Sequence, residues 1–285
     1  MQAMRIAQLL LSGATEYEQK SQRIDRQALA AAGHEVLLLE PGQVPGSGAA
    51  VAHVYGPEVL EGQLFRGWRL PFVASGTVRR PRFALRPPPQ PSRRVTPLKD
   101  VADPASEYLP EAVEEHYFAA SSEPIAEPTP HRPKRIGSYN PQSGRRGVAD
   151  WIELSMARIH RFRDDVTWEI FDASPSPAEL AVLDAWIDPA REEDDFDGFV
   201  AEALVAGLPV VASRTAINAQ RLEKGRIGLL VPPGDPNEMT HAILTALFKT
   251  EVSRGRLDAA RQTVSKYRPR HRLRVLAQGY ESLIR

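Results

Sequence analysis

Asp194, Asp197, Gly198 and Glu202 follow one another closely, and the apolar run Pro209-Val210-Val211-Ala212-Ser213 comes directly after. The order predicts an acidic loop, a short helix opening at Gly198, a stop at Gly207 and a strand of the all-apolar kind buried in parallel sheets. A helix N-terminus turns unpaired N–H groups and partial positive charge toward anions, and a carboxylate one turn further on can accept hydrogen bonds from sugar hydroxyls. The backbone of Gly198, Phe199 and Val200 and the side chain of Glu202 therefore suit a ligand that carries both phosphate and hydroxyl groups. Asp194 has two readings, a ligand-facing carboxylate or one member of the solvated run Glu192-Glu193-Asp194-Asp195. Asp197 likewise either lies at the site or caps the helix, as aspartate commonly does.

The elements that must carry these residues form two alternating β/α series. In the first, an apolar strand at 5–11 leads through a loop with Gly13 into a helix over 22–32, then Gly33-His34 and a strand over 35–39. Further strands are expected at 50–55 and 70–74, separated by a helix beginning near Pro57. His53 falls on one of these strands and is expected to be a hydrogen-bonded structural histidine. The segment 78–134 holds many of the 25 prolines, an arginine-rich half and then a glutamate-rich half, and is expected to be irregular covering and linker. The second series starts at Arg135-Ile136-Gly137. It continues with a helix near 148–161, strands near 166–171 and 185–187, the segment just described, and helices near 236–248, 257–266 and 270–283.

Composition narrows the class of partner. The 285 residues include 36 basic and 36 acidic side chains, so no global field favours nucleic acid or an anionic membrane. There is no cysteine, which rules out disulfide frameworks and thiolate chemistry and leads to a cytoplasmic expectation. No run approaches the ~18 apolar residues of a membrane span.

Two stretches carry a resemblance: Glu202-Ala-Leu-Val-Ala-Gly207-Leu-Pro209-Val-Val-Ala-Ser213 and Gly225-Arg-Ile-Gly228-Leu-Leu-Val-Pro232-Pro233-Gly234-Asp-Pro236. Together they resemble the donor region of family 4 (group 1) glycosyltransferases, retaining enzymes of the GT-B fold. Arg23–Val36, Arg145-Arg146-Gly147-Val148 and Ala259–Leu283 add weaker similarity, and the proline-rich middle lies outside it. The resemblance implies an α/β fold of two facing Rossmann-like domains with parallel sheets and a C-terminal helix that returns to the first domain. The expected domains are 1–130 on the acceptor side, with 78–130 irregular, 131–268 for the donor, and the returning helix at 269–285.

The resemblance also assigns roles. In the family two glutamates eight positions apart hold the nucleotide sugar; Glu202 matches the one on the ribose, and Asp194 occupies the position of the one near the transferred sugar. Gly198, Phe199 and Val200 would turn their N–H groups to the diphosphate. Arg146 takes the place of the family's lysine against the diphosphate, and Arg145 could replace an arginine absent at Ser138, fixed positive charge there stabilising the leaving group. Gly13 stands alone where the family has a glycine pair. A strand and helix between Phe171 and Ala185 are missing, and Ala216-Ile217 replaces a glycine pair.

The expected activity is sugar transfer from a nucleoside diphosphate sugar to a small-molecule, glycan or lipid acceptor, with retention, no metal and no cofactor. Asp194 and Arg146 are the candidate catalytic residues, with Gly13, Arg145, Arg146, Asp197, Gly198, Phe199, Val200 and Glu202 at the donor. The departures from the family pattern keep two alternatives open: a glycosyltransferase-like protein that binds without turnover, and a sugar-nucleotide epimerase. No nucleic-acid partner is expected, and the sequence leaves the oligomeric state open.

Overall fold

The computed structural model describes residues 3–11, 14–40, 43, 45, 48–56, 71–75, 93–96, 106–120, 132–140, 151–190 and 198–284. They form two compact units, Met1–Ala112 with Tyr267–Arg285, and Val113–Lys266.

The first unit is built on a six-stranded parallel sheet in the order β2-β1-β3-β4-β5-β6. Its strands are β1 (Arg5–Leu10), β2 (Glu35–Leu39), β3 (Val51–Tyr55), β4 (Phe72–Ser75), β5 (Arg93–Thr96) and β6 (Ser106–Tyr108). Ile6 of β1 pairs with Val36 on one side and Val51 on the other. Ile6, Ala7 and Leu9 are all buried, as a strand covered on both faces requires. Helix α1 (Glu16–Ala31) starts earlier than the expected 22–32. A capping box fixes that start: Glu18 N donates to Thr15 Oγ1 at 3.3 Å and Thr15 N donates to Glu18 Oε2 at 2.8 Å.

The expectation for 78–134 is corrected in part. Two of its pieces, β5 and β6, extend the sheet in parallel register. A third, α2 (Glu115–Ala120), packs on α4 (Pro177–Ala181) and α5 (Val200–Val205) of the second unit. The first segment of the first unit therefore ends at Ala112, where the sequence places the border at 130. The strands are three and four residues long and proline-flanked, so their alternation is too brief to register. The helix expected near Pro57 lies outside the described residues.

Helix α9 (Pro269–Ile284) belongs to the first unit and sets Leu276 and Tyr280 against Ile6, Leu29, Val51 and Val73. A buried polar chain fastens it. The Arg272 guanidinium donates to both carboxylate oxygens of Asp25, at 2.6 and 2.9 Å, and to Pro110 O at 3.1 Å. Tyr55 Oη donates to Asp25 at 3.0 Å and lies 2.9 Å from His53 Nδ1, whose other neighbour is Tyr280 Oη at 2.5 Å. Burial, together with the Arg272 charge, holds the His53 imidazole well below its ordinary pKa of 6.5. His53 is thus the structural histidine its position predicts.

The second unit has a five-stranded parallel sheet in the order β11-β10-β9-β7-β8. Its strands are β7 (Lys134–Tyr139), β8 (Val166–Phe171), β9 (Ala185–Asp188), β10 (Val210–Ser213) and β11 (Leu229–Val231). Only the short α4 separates β8 from β9, so the strand and helix missing from the sequence are missing from the fold. One face of the sheet packs on α3 (Glu153–Ile159) and α7 (Pro236–Phe248), through Ile136, Met156, Ile159, Ile187, Val211 and Ile243. Helix α8 (Thr250–Thr263) begins seven residues before the expected 257, because a single non-helical residue, Lys249 (φ −91°, ψ 74°), separates it from α7. The stretch Thr250–Arg256 carries few apolar residues, so periodicity alone does not find it.

Candidate functional site

Strand β9 positions the turn into α5. Trp186 is fully buried, and its indole N–H donates to Gly198 O at 2.8 Å. The next residue, Phe199, is the N-cap of α5 and adopts left-handed backbone geometry, φ 49° and ψ 25°, with no side-chain cap bond. A bulky residue in that region costs on the order of 1–3 kcal/mol and persists only where its surroundings enforce it. Here they do: the Phe199 ring is 3% exposed and meets Tyr139 edge-on, centroids 4.7 Å apart. The N-cap is thus Phe199 and not Asp197, which lies outside the described residues.

Glu202 sits in the first turn of α5 and is fully buried. Gly207, at φ 79°, ends the helix in the left-handed region that glycine enters freely, and Leu208 N closes the turn on Ala203 O. Pro209 then leads into β10, buried along its whole length. The second matched stretch is explained by packing and capping. A Cβ on Gly228 would come within 2.8 Å of Leu222 and 3.1 Å of Val210 O. Asp235 Oδ1 accepts from Asn237 N and Glu238 N, with Pro236 opening α7.

The carboxyl ends of three adjoining strands meet this turn. β7 brings Tyr139 and Asn140, β9 brings Asp188 and β10 brings Ser213. Asp188 accepts from Asn218 Nδ2 at 2.7 Å, and Asn218 in α6 (Ala216–Arg221) also donates to Ser213 O at 3.1 Å. Ala216-Ile217, at the family's glycine pair, form the first turn of α6 behind the Thr215 cap. Ser213 Oγ and Asn140 Oδ1 are buried with no hydrogen-bond partner among the described residues. In open α/β sheets the crevice beyond the carboxyl ends of the strands is where ligands bind. Ser138 faces elsewhere: its hydroxyl accepts from Trp168 Nε1 at 2.7 Å.

Of the sequence-predicted residues, the structure gathers Gly198, Phe199, Val200 and Glu202 into one turn at that edge. Gly13, Arg145, Arg146, Asp194 and Asp197 lie outside the described residues. Sequence reasoning missed the Trp186 clamp, the Tyr139–Phe199 contact and the Asp188–Asn218 pair. The one available signal was a tryptophan and an aspartate flanking isoleucine in an otherwise small strand, Ala185-Trp-Ile-Asp188. Among the described residues, no three acidic or histidine side chains cluster as a metal site would require.

Comparison with known proteins shows what this unit is similar to. Residues 145–248 match the family model described as glycosyl transferases group 1. The matched residues all lie within the second unit. No curated protein sequence matches the chain significantly. Among solved structures, a glycosyltransferase from Rickettsia africae superposes with a TM-score of 0.76 at 11% identity, covering 100% of both chains. Anabaena HepE in complex with UDP-glucose gives 0.69 at 14%, covering 98% of this chain and 100% of that one. The sucrose-phosphate synthase of Thermosynechococcus elongatus gives 0.69 at 15%, covering 98% and 99%. The chain therefore has the two parallel α/β sheets and the C-terminal helix of the GT-B fold. None of the helices among the described residues is long and apolar enough to cross a membrane.

Proposed function

We propose that the protein transfers a sugar from a nucleoside diphosphate sugar to an acceptor, with retention of configuration and without a metal. The observation that carries the reading is the enforced turn at Gly198–Glu202, held by Trp186 and Tyr139 at the carboxyl edge of the group 1 domain. A strained backbone kept in place at such an edge is a preorganised binding element. In this reading the N–H groups of Gly198, Phe199 and Val200 face the diphosphate and Glu202 accepts from the ribose hydroxyls. Arg146, with Arg145, meets the charge of the leaving group, Asp194 lies by the transferred sugar, and Asp197 and Gly13 border the donor. Uridine is the first base to test, since Anabaena HepE is a complex with UDP-glucose. The acceptor is a small molecule, a glycan or a lipid.

Calorimetric titration of UDP, UDP-glucose and other nucleoside diphosphate sugars tests the reading. Glu202→Gln should keep the fold, as judged by melting, and weaken every ribose-containing ligand by about tenfold or more, the loss of hydrogen bonds to a charged group. Arg146→Ala should weaken diphosphates more than nucleosides. Unchanged affinity in Glu202→Gln removes that residue from the site. Donor binding with no hydrolysis or transfer assigns the chain to binding without turnover, and isotope exchange at a sugar carbon would assign it to epimerisation.

A further inference from the structure

A cavity of about 650 Å³ opens on the second unit between the end of α3 and the second half of α7. It belongs to neither the turn at α5 nor the strand edge that turn occupies. Helix α3 leads from the end of β7 back to the start of β8, and Lys134 N, at the start of β7, bonds Asp165 O beside the cavity. The cavity therefore sits at the amino edge of the sheet, opposite the carboxyl edge.

Its floor is apolar, made by Ile159, Leu244 and Phe248. Phe162 stands on the rim with 86% of its surface exposed, the most exposed large hydrophobic side chain among the described residues. Four cations lie around this floor. Arg163 is neutralised by Asp165 at 2.6 Å and lies over the Phe248 ring, 3.9 Å from its centroid. Arg158, Arg161 and Lys249 line the same cavity and make no ion pair among the described residues. Two polar atoms complete it. Arg158 Nη1 and Thr245 Oγ1 are both buried with no hydrogen-bond partner among the described residues, a cost that folded proteins rarely leave unmet.

We propose that this face binds an anionic phospholipid of a bilayer. The phosphate would meet Arg158 and Thr245 and be flanked by Arg161 and Lys249, while Phe162 and the apolar floor take the acyl region. A hydrophilic anion leaves the floor and Phe162 exposed, and a neutral apolar ligand leaves Arg158 Nη1 without an acceptor; only an anionic amphiphile answers both. The inference does not depend on which sugar nucleotide the α5 edge holds.

Co-sedimentation of the full chain with phosphatidylcholine vesicles, with and without phosphatidylglycerol, tests it. Three uncompensated cations predict roughly a hundredfold preference for the anionic vesicles, lost at high salt. Arg158→Gln should lower that affinity by about fivefold and Phe162→Ser by about tenfold, both with unchanged melting. Short-chain phosphatidylglycerol below its micellar concentration should compete; failure to compete would overturn the cavity as the lipid site. Equal binding to neutral and anionic vesicles, or full binding retained when Arg158→Gln and Phe162→Ser are combined, overturns the proposal. So does self-association in sedimentation velocity that Phe162→Ser abolishes while vesicles fail to bind, which would assign the face to a second copy of the chain.

Discussion

The two units seat a helix on similar sheets by different means. The cluster between β7–β11 and helices α3 and α7 is apolar throughout, from Ile136 to Ala246. In the first unit a charged pair, Asp25 and Arg272, both 1% exposed, crosses the core beside Gln8, His53, Tyr55 and Tyr280. Apolar packing tolerates many arrangements of similar volume, whereas a buried ion pair accepts few, because each partner leaves the other an uncompensated charge if it moves. The contrast is one of specificity: α9 of the first unit has one seat, set by Arg272, while α7 of the second is held by area.

The contrast can be broken by substitution. The largest effect expected is from Asp25→Ala, which strands the Arg272 guanidinium and should cost about 3–5 kcal/mol in urea unfolding. Hydrogen exchange should rise in peptides of α1 and α9 and stay unchanged in those of β7 and α7. Ile187→Ala removes a fully buried side chain from the second core and should cost about 2–5 kcal/mol, with the exchange pattern reversed. If either variant loosens both units equally, the two cores are not separate sources of stability.

The third test uses pH. Folded His53 stays neutral below 6.5 while the unfolded chain takes up a proton there, so acid favours the unfolded chain. Stability should fall as pH drops below about 6.5, by at most about 1.4 kcal/mol per unit from this residue. The slope should be shallower in His53→Gln; an identical slope would remove His53 as its source. The smallest effect expected is from Tyr280→Phe, which deletes the hydroxyl 2.5 Å from His53 Nδ1 and should cost about 1 kcal/mol. A cost near that of Asp25→Ala would mean that the hydroxyl, and not the ion pair, fastens α9.

What the sequence made legible was local. Helix α7 starts at Pro236 and ends at Phe248 as expected, because Asp235-Pro236 is a capping signal and the apolar period is regular. Strands β2 and β8 also run as expected, each an apolar or branched run between polar breaks. Three-residue strands such as β6 are too short to show a period and depend on their neighbours for pairing. At the site, Glu202 and the Gly198 turn were visible from matched residue types. The Trp186 clamp was not, since a tryptophan in a strand looks like core until its N–H is found on a loop carbonyl. Asp25 and Arg272 are 247 positions apart, and no local pattern relates them.

That separation has a consequence for the order in which the molecule is made. The second unit is inserted between two parts of the first, and the first lacks its last helix until residues beyond Lys266 exist. During synthesis the second unit can fold while the first still waits with Asp25 unpaired, so a chain stalled before Arg272 would hold a finished second unit tethered to a first one that lacks its last helix.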